Sequence, residues 1–361
     1  MGCTSRPRLS VLLITHHLSL ITGFFTMRII RDLAELTEPL PNAVVTIGNF
    51  DGIHLGHREI FRRVVKKSLE IGGTSVVYTF VPHPLKVVCP QYAPPLISTY
   101  REKETLIKAS CIDVLVCAPF TRQTAELPAH RFVREALVDK VGVKHLVVGY
   151  DYLFGKGREG NAELLRRMGE HLGFTVEVLE PVTEEGEAYS STRIREMILR
   201  GEVREVTRFL GRHFTFEGTV VHGFKRGKKL GFPTANLKTD KELLPRIGVY
   251  AVKVKRGDKI LDGVLNIGNN PTFEAAGQFI EVHLFDFNEQ IYGEDLRVYF
   301  VERLRDEMRF EDSARLVHAI NEDILRARAV LAETRIIHYQ DYLDCGTPGR
   351  RPVGGNEGEG P

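Results

Sequence analysis

The sequence predicts two architectures in one chain: a doubly wound parallel α/β sheet, then a small antiparallel β-barrel followed by a C-terminal helix. Three observations carry this. From Ala43 to about Phe209, short apolar β-rich runs alternate with segments of helical periodicity. Past Arg212, strand-like runs follow one another across Gly-, Pro- and Asn-containing turns, with no useful helix among them. A last amphipathic stretch then precedes a tail rich in Gly and Pro.

Arg6 and Arg8 precede the run from Val11 to Phe25, which superficially resembles a signal peptide. His16, His17 and several hydroxyl residues interrupt it, it is too short and polar to span a bilayer, and it lacks a small-residue cleavage site. Because a start residue follows at Met27, residues 1–26 are read as a mis-assigned start or a disordered extension.

Strands are then read at Ala43–Gly48, Val76–Phe80, Ile112–Cys117, His145–Gly149 and Phe174–Glu180. Their nearly continuous apolar character is that of a parallel sheet covered on both faces. Between them Ile60, Phe61, Val64, Val65 and Leu69 recur at helical spacing, as do Phe132, Val133, Ala136 and Leu137, and Leu164, Leu165, Met168 and Leu172. Strand, helix, strand repeated this way implies right-handed crossovers.

A boundary falls near residues 208–214. Beyond it, strands are read at Phe214–His222, Val249–Arg256, Lys259–Ile267, Phe279–Phe287 and Leu296–Val301. The closing helix carries Leu316, Val317, Ile320, Ile324 and Ala327 on one face, with Asp312 as its N-cap. The expected domains are therefore 27–210 and 211–345, with a disordered tail at 346–361.

Composition narrows the function. A length of 361 residues, 43% hydrophobic and 27% charged, suits two or three globular domains and excludes collagenous, mucin-like or wholly disordered chains. A net charge of +2 makes a dedicated nucleic-acid binder the minority reading, and no membrane or obligate protein partner is expected. Five cysteines without a C-x-x-C pair argue against a disulfide framework or structural zinc and for a reducing, cytoplasmic setting.

The most informative string is Gly48-Asn49-Phe50-Asp51-Gly52-Ile53-His54-Leu55-Gly56-His57, placed where a buried strand gives way to the first helix. Open α/β sheets bind ligands outside the carboxyl ends of their strands, and a helix start offers free N–H groups to an anion. Gly48, Phe50, Asp51 and Gly52 are thus candidates for nucleotide phosphates. His54 and His57, three apart, project from one face of the opening turn and suit charge building on an α-phosphate during nucleotidyl transfer. A zinc site would lack a third ligand unless His83 supplied one. A second helix start, Tyr189-Ser190-Ser191-Thr192-Arg193-Ile194-Arg195, offers hydroxyls and an arginine fork to a leaving pyrophosphate, with Ser190 or Ser191 as the cap.

Together, G-N-F-D-G-I-H-L-G-H and S-S-T-R-I-R resemble the adenylyltransferase half of the bacterial bifunctional riboflavin kinase/FMN adenylyltransferases (FAD synthetases). Phe80-Val81-Pro82-His83-Pro84, Tyr100-Arg101-Glu102-Lys103 and Val148 through Gly155 fit as well. The resemblance implies ATP-phosphate roles for His54, His57, Ser191, Thr192 and Arg195, and places Asp151 near flavin and nucleotide.

In the second half, Gly218 through Leu237 hold a run rich in glycine and basic residues, including Gly223, Gly231 and Lys225 to Lys229, which looks like a phosphate-covering loop. It ends in Gly231-Phe232-Pro233-Thr234-Ala235-Asn236. Thr234 and Asn236 alternate, so an extended segment puts both oxygens on one side, and hard oxygens suit Mg²⁺ bridging substrate phosphates. Glu281, in Ile280-Glu281-Val282-His283-Leu284, is by pattern an outward-facing strand residue.

These segments, with Gly248-Val249-Tyr250, Asn266 through Thr272 and Arg305-Asp306-Glu307, resemble the riboflavin kinase module in order. The resemblance implies that Thr234 and Asn236 hold Mg²⁺-nucleotide and that Glu281 activates the ribityl hydroxyl. Phe224 stands where many members carry an acidic residue. The implied substrates are riboflavin, FMN, FAD and ATP, with no tightly bound prosthetic group. The rivals are another H-x-G-H nucleotidyltransferase, an aminoacyl-tRNA synthetase fragment lacking its lysine-rich second signature, and an RNA-binding barrel. The last requires interleaved basic and aromatic residues, whereas the basic residues here concentrate in one loop.

Overall fold

Six parallel strands form the first sheet: β1 (Arg28–Ile30), β2 (Ala43–Ile47), β3 (Ser75–Val81), β4 (Val114–Pro119), β5 (Val143–Gly149) and β6 (Thr175–Leu179). The computed structural model describes residues 26–184, 186–223, 227, 230–269 and 278–337. The expectations for residues 1–25, Phe224 to Arg226, Lys228, Lys229, Asn270 to Thr272 and the 346–361 tail lie outside these residues.

The strand order is β1-β4-β3-β2-β5-β6. The chain leaves β2 toward β3 and β4, then crosses to the other side at β5, so the switch point lies between β2 and β5. Helices α1 (Leu55–Glu70), α2 (Tyr100–Lys108), α3 (Phe132–Val141, a π-helix), α4 (Ala162–Leu172), α5 (Ser191–Arg200) and α6 (Val203–Leu210) follow. Phe61 and Val64 of α1 are fully buried in one core with Val44 and Val77, each side chain contributing about 1.5–3 kcal/mol on leaving water.

Strands β7 (Thr215–Val221), β8 (Ala235–Lys238), β9 (Gly248–Arg256), β10 (Lys259–Asn269), β11 (Gln278–Leu284) and β12 (Asp295–Arg305) close an antiparallel barrel in the order β8-β11-β10-β9-β12-β7. Helix α7 (Ser313–Ala332) buries Ala327 and Leu331 against it, and Asp312 caps it by accepting the Arg315 N–H at 2.8 Å.

The predicted strands are all present, with ends shifted by a few residues. Leu284 ends β11 earlier than read, and Asp286 turns at a φ of 54°. β1 was not foreseen because three residues at a sheet edge carry no periodic signal. More consequential is the core. Ile194, Met197 and Ile198 of α5 and Val203, Val206, Phe209 and Leu210 of α6 share one hydrophobic cluster with barrel residues such as Phe214, Phe216, Tyr250 and Phe300. The two helices read as part of the first half therefore pack with the second.

Candidate active sites

The segment 48–54 leaves β2 at the switch point and enters α1. Phe50, Gly52 and Ile53 all have positive φ, at 46°, 80° and 39°. For the two non-glycines this conformation costs on the order of 1 kcal/mol each, so the surroundings must impose it. They do so through the carbonyls. Lys103 Nζ donates to Asn49 O at 2.6 Å, and Ser191 Oγ to Asp51 O at 2.8 Å. Arg212, which the sequence reading did not single out, donates to Gly52 O and Ile53 O.

In a trans peptide the N–H points opposite to the C=O. Anchoring these carbonyls turns the N–H groups of Phe50, Gly52, Ile53 and His54 the other way, and none of them meets an acceptor among the described residues. Orphaned amides of this kind at a helix start form an anion cradle.

His54 is the N-cap of α1: its Nδ1 accepts the His57 N–H at 3.4 Å. That bond requires a bare Nδ1, so the neutral ring carries its hydrogen on Nε2. The two imidazoles stack with centroids 3.7 Å apart. Burial pushes His54 down to about 4, with the Arg212 charge assisting and Asp51 opposing. His57 is lowered too, by burial first and then by His54, Lys103 and Arg212. Its Nδ1 is buried without a partner.

Gly48 lies against the Phe50 ring, and that ring packs edge-on against His57 and Phe61, so only the Phe50 backbone remains for a ligand. The Asp51 carboxylate accepts from Ile97 N, Ser98 N and Arg195 Nη2, the last at 2.8 Å. Arg195 also donates from Nε to Pro95 O, so two of its nitrogens serve a clasp and only Nη1 stands apart from these bonds. Ser190 caps α5, leaving Ser191 and Thr192 in its first turn, and Asp151 is exposed just after β5.

On the sheet face packed by α3, Tyr78, Ala118, Pro119 and Phe132, with Asp32, Gln123 and Thr124, line a cavity of about 300 Å³. His83 caps a short helix, Pro84–Val88, by accepting the Leu85 N–H, and no cluster of three His, Cys, Asp or Glu among the described residues could hold a metal.

In the barrel, Asn236 of β8 faces Val221 of β7 on one side and Glu281 of β11 on the other, and Glu281 in turn faces Asn266 of β10. Directly opposed residues share a face, so Asn236, Glu281 and Asn266 form one row. The row lies on the outer surface, because Ile280 and Val282 on either side of Glu281 fill the core. Thr234 precedes β8. His283 Nδ1–H donates to Pro233 O at 2.8 Å and pins the Pro-Thr-Ala-Asn strand entry. Gly223 lies so close that a Cβ there would overlap the Asn236 amide, and Gly231 turns at a φ of 90°. Asn266, a member of this row that sequence reasoning did not single out, buries its Oδ1 without a partner.

A family model described as FAD synthetase matches residues 36–193, and one described as riboflavin kinase matches residues 210–331. A Pseudomonas fluorescens protein named bifunctional riboflavin kinase/FMN adenylyltransferase is 38% identical over 307 residues, spanning 85% of this chain and 98% of its own. Its Escherichia coli K12 counterpart is 36% identical over 311 residues, spanning 86% and 99%. A solved structure described as a Streptococcus pneumoniae macrolide-efflux protein superposes with a TM-score of 0.77 at 35% identity, over 84% of this chain and 98% of that one. With both modules matched in order, and relatives aligned along nearly their whole length, the chain belongs to the bifunctional riboflavin kinase/FMN adenylyltransferase family.

Proposed function

We propose that this enzyme phosphorylates riboflavin to FMN on the barrel (211–345) and joins FMN to AMP on the parallel-sheet half (27–210), giving FAD. The observation that carries the reading is the presence of two separate polar constellations: the amide cradle under His54 and His57, and the Asn236–Glu281–Asn266 row.

In the barrel, Glu281 accepts the proton of the attacking ribityl hydroxyl, and the bond from that oxygen to the γ-phosphorus of ATP forms as ADP leaves. Thr234 and Asn236 are the residues that would hold Mg²⁺ with the nucleotide, and the buried, unpartnered Asn266 Oδ1 adds another hard oxygen to the same face. The ion would neutralise phosphate charge; the side chains position the reactants in line.

In the sheet half, the FMN phosphate is already an anion and needs no strong base. Its oxygen attacks the α-phosphorus and pyrophosphate departs. The chain's task is to hold like charges together: the orphan amides of 50–54 and the Nε2–H of His54 take phosphate oxygens, with Thr192 and Arg195 Nη1 toward the leaving group, while the Ser191 hydroxyl holds the Asp51 carbonyl. The cavity at Tyr78 and Phe132 in the same half of the chain offers a planar apolar ring a place. Cys89 and Cys117 are free thiols, but Cys111 is disulfide-bonded, which corrects the expectation of a chain without disulfides; no helix among the described residues is long and apolar enough to cross a membrane.

Incubating the purified protein with riboflavin, Mg²⁺ and ATP and resolving the yellow products by chromatography tests the reading. FMN is expected first and FAD after it; unchanged riboflavin overturns it.

A further inference from the structure

Arg212 enters from the lead-in to β7, yet it ends under the segment that precedes α1. It is 5% exposed; Nη2 donates to Gly52 O at 2.5 Å and Nη1 to Ile53 O at 3.0 Å. The approach is close: a Cβ on Gly211 would overlap the Leu55 side chain, and Gly211 itself turns at a φ of 64°.

The charge balance around it is uneven. Two neighbouring buried cations have carboxylate partners, Arg195 with Asp51 and Lys241 with Glu102 at 2.5 Å. Arg212 and Lys103 donate to carbonyls instead, and no carboxylate among the described residues forms an ion pair with either, although the Asp51 charge acts on Lys103 from further off. A buried guanidinium without a counter-ion is costly unless an anion arrives. Both cations hold the same turn from behind, with its free amides on the other side.

We infer that Arg212, supplied by the barrel half, is a positioning residue of the adenylyl-transfer site: its fork fixes the Gly52 and Ile53 carbonyls so that the following amides face the ATP phosphates. This rests on the reading that segment 48–57 binds those phosphates. The adenylyltransferase half is then incomplete without the first residues of the kinase half. The same charge faces His54 together with Asp51, while His54 and Lys103 face His57, so Arg212 also helps keep the imidazole pair neutral.

The test uses Arg212→Met and Arg212→Lys in the full chain, with both activities assayed on each preparation. Arg212→Met lowers kcat/KM for ATP in FMN adenylylation about tenfold or more, the scale of lost charge-assisted bonds, with riboflavin phosphorylation within about twofold. Arg212→Lys restores part of the loss, and the NMR titration midpoint of His54 rises in Arg212→Met but less in Arg212→Lys.

Glu242→Gln serves as the comparison, since Glu242 only accepts from Lys86 and Leu96 N across the same junction. Adenylylation unchanged in Arg212→Met, or equally reduced in Glu242→Gln, overturns the inference. Should Arg212→Met fail to fold, the Lys variant decides alone: unchanged adenylylation and an unmoved His54 midpoint overturn it. In parallel, His57→Ala tests the underlying site. If His57→Ala abolishes adenylylation while the arginine variants leave it intact, only the Arg212 inference falls; if His57→Ala is fully active, the site reading falls and takes the inference with it.

Discussion

Asp51 and Arg195 form a buried ion pair that ties the segment before α1 to the helix α5, with Arg195 Nη2 2.8 Å from Asp51 Oδ2 and the carboxylate only 3% exposed. The same carboxylate receives the N–H groups of Ile97 and Ser98. Both residues were expected at the nucleotide, and both are first of all partners of each other. Asp51→Ala leaves a buried guanidinium and two amides unpartnered and is expected to destabilise the fold by about 3–5 kcal/mol. Denaturant unfolding checks this, and an unchanged midpoint contradicts the clasp.

His57→Ala removes one of two stacked imidazoles beside the amide cradle but leaves the barrel untouched. FAD formation is expected to vanish while FMN formation persists. Equal loss of both activities in the product assay counts against a division of labour.

Glu281→Gln should give the converse. The amide keeps the shape of the outward row with Asn236 and Asn266 but takes no proton. Riboflavin phosphorylation is expected to fall by about 10²-fold or more, while adenylylation of supplied FMN continues. Undiminished FMN production removes Glu281 as the base.

Acid should weaken the fold through buried histidines. Burial holds His54 and His213 at about 4 in place of 6.5, and His57 is lowered as well. Between these values the unfolded chain binds protons that the folded chain refuses, so stability rises with pH across that window. The stability is complete above 6.5 and is lost as the pH falls toward 4. Thermal unfolding followed from pH 6.5 down to about 5, where most carboxylates remain ionised, should show a falling Tm. A flat Tm there contradicts the assignment of neutral imidazoles.

Much was legible beforehand because burial leaves a one-dimensional trace. Continuous apolar runs marked β2 to β6, helical spacing marked α1, α3 and α4, and alternation at Ile280, Val282 and Leu284 marked a strand with one face in a core. The turn ending in His54-Leu55-Gly56-His57 stood out as a candidate anion site because its glycines and histidines fall where a strand meets a helix.

Pairings between remote residues left no trace along the chain. Arg195 meets Asp51 across 144 positions, and Arg212 meets Gly52 across 160. Nothing in local spacing encodes which distant carbonyl a guanidinium will reach, because that depends on how the barrel docks beside the sheet. For the same reason α5 and α6 pack with the barrel although their periodicity only says that one face is apolar, and Asn266 joins Glu281 only through strand register. Local sequence fixes which surfaces must be covered; the folded chain selects what covers them.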